Sequence, residues 1–254
     1  MTSGTNKKHR GFTLIELMCS MAVGSIILLL ATSMLGSSSD SYERIGGGVA
    51  SERDARALIT QLTSDLSTAH FHKDGVIEKS TAPWPTDRLG FLCLQPAHAQ
   101  SDTGRVGDLC AVSYYIKDLT VNGKTVRCLM RGFRESAETF NSLEADNVSS
   151  LFTEQPNIDE PVAFGVVSWQ VLPKARDASG KWIDWLKNTT TGPEALDIRL
   201  VLARRGLIGK LKQTADWDGN ETSGILLGSP AELDRNKNLE VYATLIRFGN
   251  HETP

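Results

Sequence analysis

The chain has 254 residues and a formal net charge of −3. That balance excludes nucleic-acid binding through bulk positive potential. The length leaves about two hundred residues for one globular domain with a real core once an N-terminal segment is set aside.

A short basic leader, Lys7-Lys8-His9-Arg10, comes first, followed by Gly11-Phe12-Thr13-Leu14-Ile15-Glu16. Leu17 to Leu35 then runs without a charge. At ~1.5 Å per residue this run covers ~28 Å, close to the thickness of a bilayer core. No Lys or Arg follows until Arg44, so the positive-inside bias holds the N-terminus in the cytoplasm and sends the rest across. A secretory signal cut near Gly36-Ser37-Ser38 and a plain signal anchor compete for this segment, while a lipoprotein signal fails because Cys19 precedes the apolar body. Glu16 separates them. An ionisable group in a membrane helix costs up to ~3 kcal/mol at the centre, and a signal sequence gains nothing from it. A cut after Gly11 would remove the leader with Lys7, Lys8 and Arg10, taking the charge from −3 to −6. It would also leave a free amine with Glu16 as the fifth residue.

Gly11 to Glu16, followed by Leu17-Met18, resembles the processing and methylation site of type IV pilins and type II secretion pseudopilins. The resemblance implies that a prepilin peptidase cuts between Gly11 and Phe12 and N-methylates Phe12. It also implies that Glu16 is the assembly carboxylate, accepting the N-terminal ammonium of a neighbouring subunit. The motif covers only the first fifth of the chain.

Beyond the apolar run lie Gly36-Ser37-Ser38-Ser39 and Gly46-Gly47-Gly48. Each helical glycine costs ~1 kcal/mol relative to alanine, so the helix is expected to be broken or marginal there. From Ser51 an amphipathic pattern resumes, with Leu58, Ile59, Leu62, Leu66 and Ala69 on one face and Arg53, Asp54, Arg56, Gln61 and Asp65 largely elsewhere. After His72 the pattern turns to β. Strands are predicted over 89–94, 111–116, 125–133, 162–172, 196–203 and 241–248, and Asn122-Gly123 reads as a hairpin turn. One long helix followed by strands predicts α+β, a helix laid across an antiparallel sheet.

Cys19 lies in the apolar run as a small filler, and Cys93, Cys110 and Cys128 follow it. Three thiols allow at most one intramolecular pair, and a periplasmic location would permit it. Spacing leaves the pairing open, with reduced buried cysteines as the alternative. Asp216, Asp218, Asn220 and Glu221 form one acidic loop, and Asp234, Asn236, Asn238 and Glu240 another. Alternating oxygen ligands suit Ca²⁺, so these are the calcium candidates, against a reading as solvated turns. His70 and His72 flank Phe71 without further ligands in sequence, which favours plain surface histidines. No Gly-x-Ser-x-Gly, P-loop or dinucleotide fingerprint occurs.

Residues 160–171 with Trp182 and Trp185, and residues 192–202, resemble the C-terminal half of J-type minor pseudopilins and W-type minor pilins. The insertion from Thr214 to Leu239 departs from that pattern.

The expected organisation is a leader over 1–11, a transmembrane helix over 12–35, a linker and amphipathic continuation over 36–72, and a periplasmic β-rich domain over 73–254. The resemblance implies a pilin-like fold and a non-enzymatic minor subunit, at or near the tip of a type II secretion pseudopilus or a type IV pilus-like filament. Its implied partners are the prepilin peptidase, other pilin or pseudopilin subunits, an inner-membrane assembly platform and the membrane itself through 12–35. Neither nucleic acid nor a cofactor is expected, calcium aside. A surface-pilus subunit for adhesion or DNA uptake, and a membrane-anchored periplasmic enzyme with a prepilin-like leader, are the alternatives. Gly11→Val is expected to abolish the cut, because a bulky residue no longer fits the peptidase. An unchanged mature N-terminus in that variant, read by mass spectrometry, would contradict the assignment.

Overall fold

A computed structural model describes residues 14–71, 75–101, 105–121, 123–186, 192–219 and 227–248, the side chains of 36–51 excepted. The leader, Gly11, Phe12, His72, Asn122, Asn220, Glu221 and His251 lie outside them.

The chain divides into two compact units, Met1–Gly46 and Gly47–Pro254. Helix α1 spans Leu14–Ser67 and belongs to both. It continues through Gly46-Gly47-Gly48, so the glycines do not end the helix, although the division between the units falls among them. In the first unit, Leu14–Leu35 has a mean hydropathy of 2.3 and none of it is buried.

The second unit holds two antiparallel sheets. Sheet A comprises β1 (Ala69–His70), β2 (Val76–Glu78), β3 (Arg88–Leu94), β4 (Leu109–Val121), β5 (Lys124–Arg134) and β6 (Glu160–Phe164), in the order β1-β3-β4-β5-β6, with β2 also paired to β3. Sheet B comprises β7 (Val166–Arg176), β8 (Trp182–Asp184), β9 (Ala195–Ala203) and β10 (Leu239–Arg247), in the order β10-β9-β7-β8. β4 and β5 close on the predicted hairpin, with Val121 opposite Lys124 and Gly123 at φ 75°, a conformation glycine adopts without a Cβ penalty.

The single strand predicted over 162–172 is two strands. Gly165, at φ 73°, turns the chain from sheet A into sheet B. Its N–H donates to Arg127 O in sheet A at 2.8 Å, and its carbonyl accepts from Ala203 N in sheet B at 2.8 Å. A second tie joins the sheets at Asp87. Its carboxylate accepts from Val171 N at 2.8 Å, Ser80 N at 2.8 Å and Lys79 Nζ at 2.8 Å. Its own N–H donates to Trp169 O at 2.9 Å.

Ala55, Leu58, Leu62 and Leu66 of α1 share one buried cluster with Leu89, Phe91, Val112, Tyr114 and Leu129 of sheet A and with Trp169, Val171, Ile198 and Leu200 of sheet B. Burial of such side chains is the main favourable term, at roughly 1.5–3 kcal/mol each. On the reverse face of sheet A, Leu92 and Ala111 are covered by Val148, Leu151 and Phe152 of a 3₁₀ turn, with helix α2 (Ser136–Glu144) ahead of it. A separate cluster of Trp84, Val167, Val201, Leu207, Leu211 and Trp217 brings helices α3 (Arg205–Ile208) and α4 (Thr214–Trp217) together with β7 and β9. Trp217, Leu227 and Leu239 of the segment read as an ill-fitting insertion are buried in that cluster, against residues of sheet B.

Gly165→Ala places a Cβ in a left-handed conformation and against Ile208. It is expected to lower stability by roughly 1–3 kcal/mol, read as a lower urea midpoint with unchanged slope. An unchanged midpoint would contradict the account of this crossing.

Candidate functional site

Two regions carry the functional reading: the N-terminal apolar segment, and the seat of α1 on its sheet within the second unit.

In the first region, Glu16 stands in the first turn of α1. The large apolar side chains from Leu14 to Leu35 are exposed, Leu14 at 78% and Met34 at 74%. The hydroxyls of the segment bond to its own backbone. Ser20 donates to Leu17 O at 2.9 Å, Ser25 to Met21 O at 2.7 Å, Thr32 to Leu28 O at 3.0 Å and Ser33 to Leu30 O at 2.8 Å. Each satisfies its donor within the helix, as a segment surrounded by hydrocarbon requires.

In the second region, Asp65 lies on the buried face of α1 with no solvent access. The sequence pattern sets Asp65 largely off the apolar stripe, whereas the structure places it on that stripe. Its carboxylate accepts from Arg131 Nε at 2.8 Å and Nη2 at 3.0 Å, Tyr114 Oη at 2.6 Å and Gln95 Nε2 at 3.0 Å. Gln61, one turn earlier, adds a longer bond at 3.3 Å. A buried carboxylate is tolerable only with such saturation. Burial acts against the charge of Arg131, but the hydrogen bond and charge of Asp65 outweigh it and raise its pKa. Burial, then the Asp65 charge, pushes the Tyr114 hydroxyl well above its ordinary range, so it stays a donor.

The next residue, Tyr115, points to the other face and meets a second buried carboxylate. Its hydroxyl donates to Asp159 Oδ2 at 2.7 Å, and Arg134 Nη1 donates to Asp159 Oδ1 at 2.7 Å. Burial opposes ionisation of Asp159, but the bonds from Arg134, Tyr115 and Gln155 N prevail and lower its pKa. Consecutive tyrosines thus tie both faces of one sheet.

A groove of about 480 Å³ is lined by Arg88, Lys117, Arg127, Asp118, Glu154 and Asp218, among others. Its charges pair across it: Arg127 with Asp118 at 2.8 Å and Asp218 at 2.6 Å, Lys117 with Glu154 at 3.4 Å.

Among the described residues, the calcium candidates do not converge on one cluster. Asp216 caps its own turn, accepting from Lys212 N at 2.8 Å and Gln213 N at 3.2 Å, and Asp218 is held by Arg127. Asn236 donates to Leu227 O at 2.6 Å and accepts from Asn238 N at 3.0 Å. Asp234 lies in the 3₁₀ turn Pro230–Arg235, and Asn220 lies outside the described residues. Among the described residues no group of three His, Cys, Asp or Glu side chains is placed to hold a metal ion.

Cys93, Cys110 and Cys128 are buried free thiols. Cys93 is in register with Cys110, whereas Cys128 is in register with Lys117 and packs with Tyr115 and Met130 on the reverse face. That placement removes the pairings with Cys128 that spacing had left open.

Residues 6–32 match the family model described as the prokaryotic N-terminal methylation motif. No curated protein matches the chain. The matched segment takes in Gly11, Phe12 and Glu16 and most of the exposed apolar helix.

Arg131→Ala leaves Asp65 buried without its cation and is expected to cost ~3–5 kcal/mol. A loss under ~1 kcal/mol in denaturant unfolding would show the pair to be marginal. The lowered pKa of Asp159 means that its stabilising share is complete above its unfolded value. That share is lost as pH falls through the folded one, below about pH 4. Asp159→Asn should therefore reduce the acid-side slope of stability. An identical slope in wild type and variant would contradict this.

Proposed function

We propose that this pilin-like chain, which carries the prepilin-type N-methylation motif, is a minor structural subunit at or near the tip of a type II secretion pseudopilus or a related type IV pilus-like filament. The observation that carries the reading is the continuity of the methylation motif over 6–32 with the exposed apolar helix Leu14–Leu35, ahead of an α+β body of two antiparallel sheets. The prepilin peptidase cuts between Gly11 and Phe12 and N-methylates Phe12. The apolar helix holds the chain in the inner membrane with its domain in the periplasm until an assembly platform extracts it. In the filament, helices of neighbouring subunits cover each other's apolar side chains, whose burial replaces contact with lipid.

Glu16 is the assembly residue in this reading. A carboxylate in an apolar helix is costly in lipid, and the new ammonium of an adjacent subunit neutralises it while fixing axial register. Such a pair is a register device more than a source of stability. A body of this size, with a second small core on sheet B, suits a tip better than a repetitive shaft. The charges of the groove are mutually paired. The glycines at 46–48, each costing ~1 kcal/mol in a helix, are where we expect α1 to yield when the subunit enters the filament.

Glu16→Val is expected to be cut normally and yet to reach the sheared filament fraction at a several-fold lower level. Normal incorporation of Glu16→Val would remove Glu16 from assembly, and a block in cutting would assign it to processing instead.

A further inference from the structure

Antiparallel pairing sets Cys93 of β3 directly opposite Cys110 of β4. Two residues along, Gln95 N–H donates to Asp108 O at 2.8 Å, which marks a hydrogen-bonded pair. The two-residue period of the ladder makes Cys93 and Cys110 the next such pair. Hydrogen-bonded pairs hold their Cα atoms about 5.5 Å apart, inside the ~4.4–6.8 Å that a disulfide spans, while their Cβ atoms, ~4.5–5.5 Å apart, must draw in to the ~3.5–4.5 Å that the bond requires. Both side chains are fully buried, and Cys93 clusters with Phe91 and Val112 on the helix-facing side. Cys93 is also in register with Ala69 of β1, where the chain leaves α1. Its sulfur accepts from Gln95 Nε2 at 3.3 Å, the same amide nitrogen that reaches Asp65 at 3.0 Å. A covalent bond here would close the chain over residues 94–109 and fasten β3 to β4 beside the seat of the helix.

We propose that Cys93 and Cys110 form an intramolecular disulfide as the domain folds outside the cytoplasm, and that Cys128, on the opposite face, stays a thiol. The proposal rests on the periplasmic location read above, because cytosolic thiols are kept reduced. The oxidant is a disulfide, either a small molecule or a thiol oxidoreductase. One cysteine thiolate attacks it, forming a mixed disulfide and releasing one thiol. The second thiolate then displaces the other thiol. Two protons and two electrons leave the cysteines, and the oxidant disulfide is reduced to two thiols. The bond closes during folding, since burial pushes the folded thiols up to about 12 for Cys93 and about 11 for Cys110, leaving little thiolate.

The test refolds the full chain in detergent from the reduced, unfolded state with oxidised glutathione. Free thiols are then alkylated under denaturing conditions and peptides analysed by mass spectrometry. The expected result is a peptide pair joining Cys93 to Cys110, with Cys19 and Cys128 alkylated, and a melting temperature roughly 6–12 °C above that of the reduced chain. Cys128→Ser keeps the link. Alkylation of both Cys93 and Cys110, or a link that uses Cys128, would overturn the proposal. In cells, thiols are trapped before lysis and spheroplasts are treated with protease. A domain digested from outside with both thiols free overturns the disulfide. A protected domain overturns the location, and the refolding result then decides the bond.

Discussion

Asp65 brings a carboxylate into the seam between α1 and sheet A, where no water reaches it. The rest of the domain is arranged around that fact. Arg131 of β5, Tyr114 of β4 and Gln95 after β3 all donate to the same two oxygens. Three successive segments of the sheet are thereby held in one register under one turn of helix. Hydrophobic contact between α1 and the sheets is larger in free energy but tolerant of sliding, since one leucine exchanges for another at little cost. The ion pair is not tolerant. A shift by one residue would strand a buried charge, at ~3–5 kcal/mol. Apolar burial therefore supplies the adhesion, and Asp65 supplies the position.

Position matters for a subunit read as a filament component. If α1 transmits force or register from a packed helical core, the domain must be fixed to its near end at a definite height and rotation. Asp65 with Arg131 does this on one face of sheet A, and Asp159 with Arg134 and Tyr115 braces the other. Sheet B is tied in through Gly165 and Asp87, so that both sheets share one core with the helix.

Much of this was legible in the residues. The apolar run, the turn at Asn122-Gly123 and the positions of β3, β4, β5, β9 and β10 follow from composition and period. Leu58, Leu62 and Leu66 are buried as their spacing predicts. Asp65 is harder to place, because a charged side chain does not by itself mark a buried stripe. Its spacing from Leu58 and Leu62 puts it on the same stripe, and an acidic residue at such a position signals a basic partner in a facing strand. Ala55 was overlooked for the converse reason, being too small to mark a stripe. The break at Gly165 was hidden because the strand resumes on either side with equally apolar residues, so only the positive φ separates the two sheets. In the acidic loops, alternating Asp and Asn suit turns as well as cation ligands. Asp216 and Asn236 spend their oxygens on nearby backbone N–H groups. The pairing of the cysteines depends on the β3–β4 register, which spacing alone does not specify.

The proposed function rests on prepilin processing of the N-terminus and its later use in assembly. Its most direct measurement is the mass of the N-terminal peptide of the wild-type chain extracted from membranes of cells that contain a prepilin peptidase, compared with cells lacking it. The account predicts N-methylated Phe12 as the first residue in the former and an uncut chain in the latter. A cut among residues 36–38 in both, or an uncut chain in both, would contradict it.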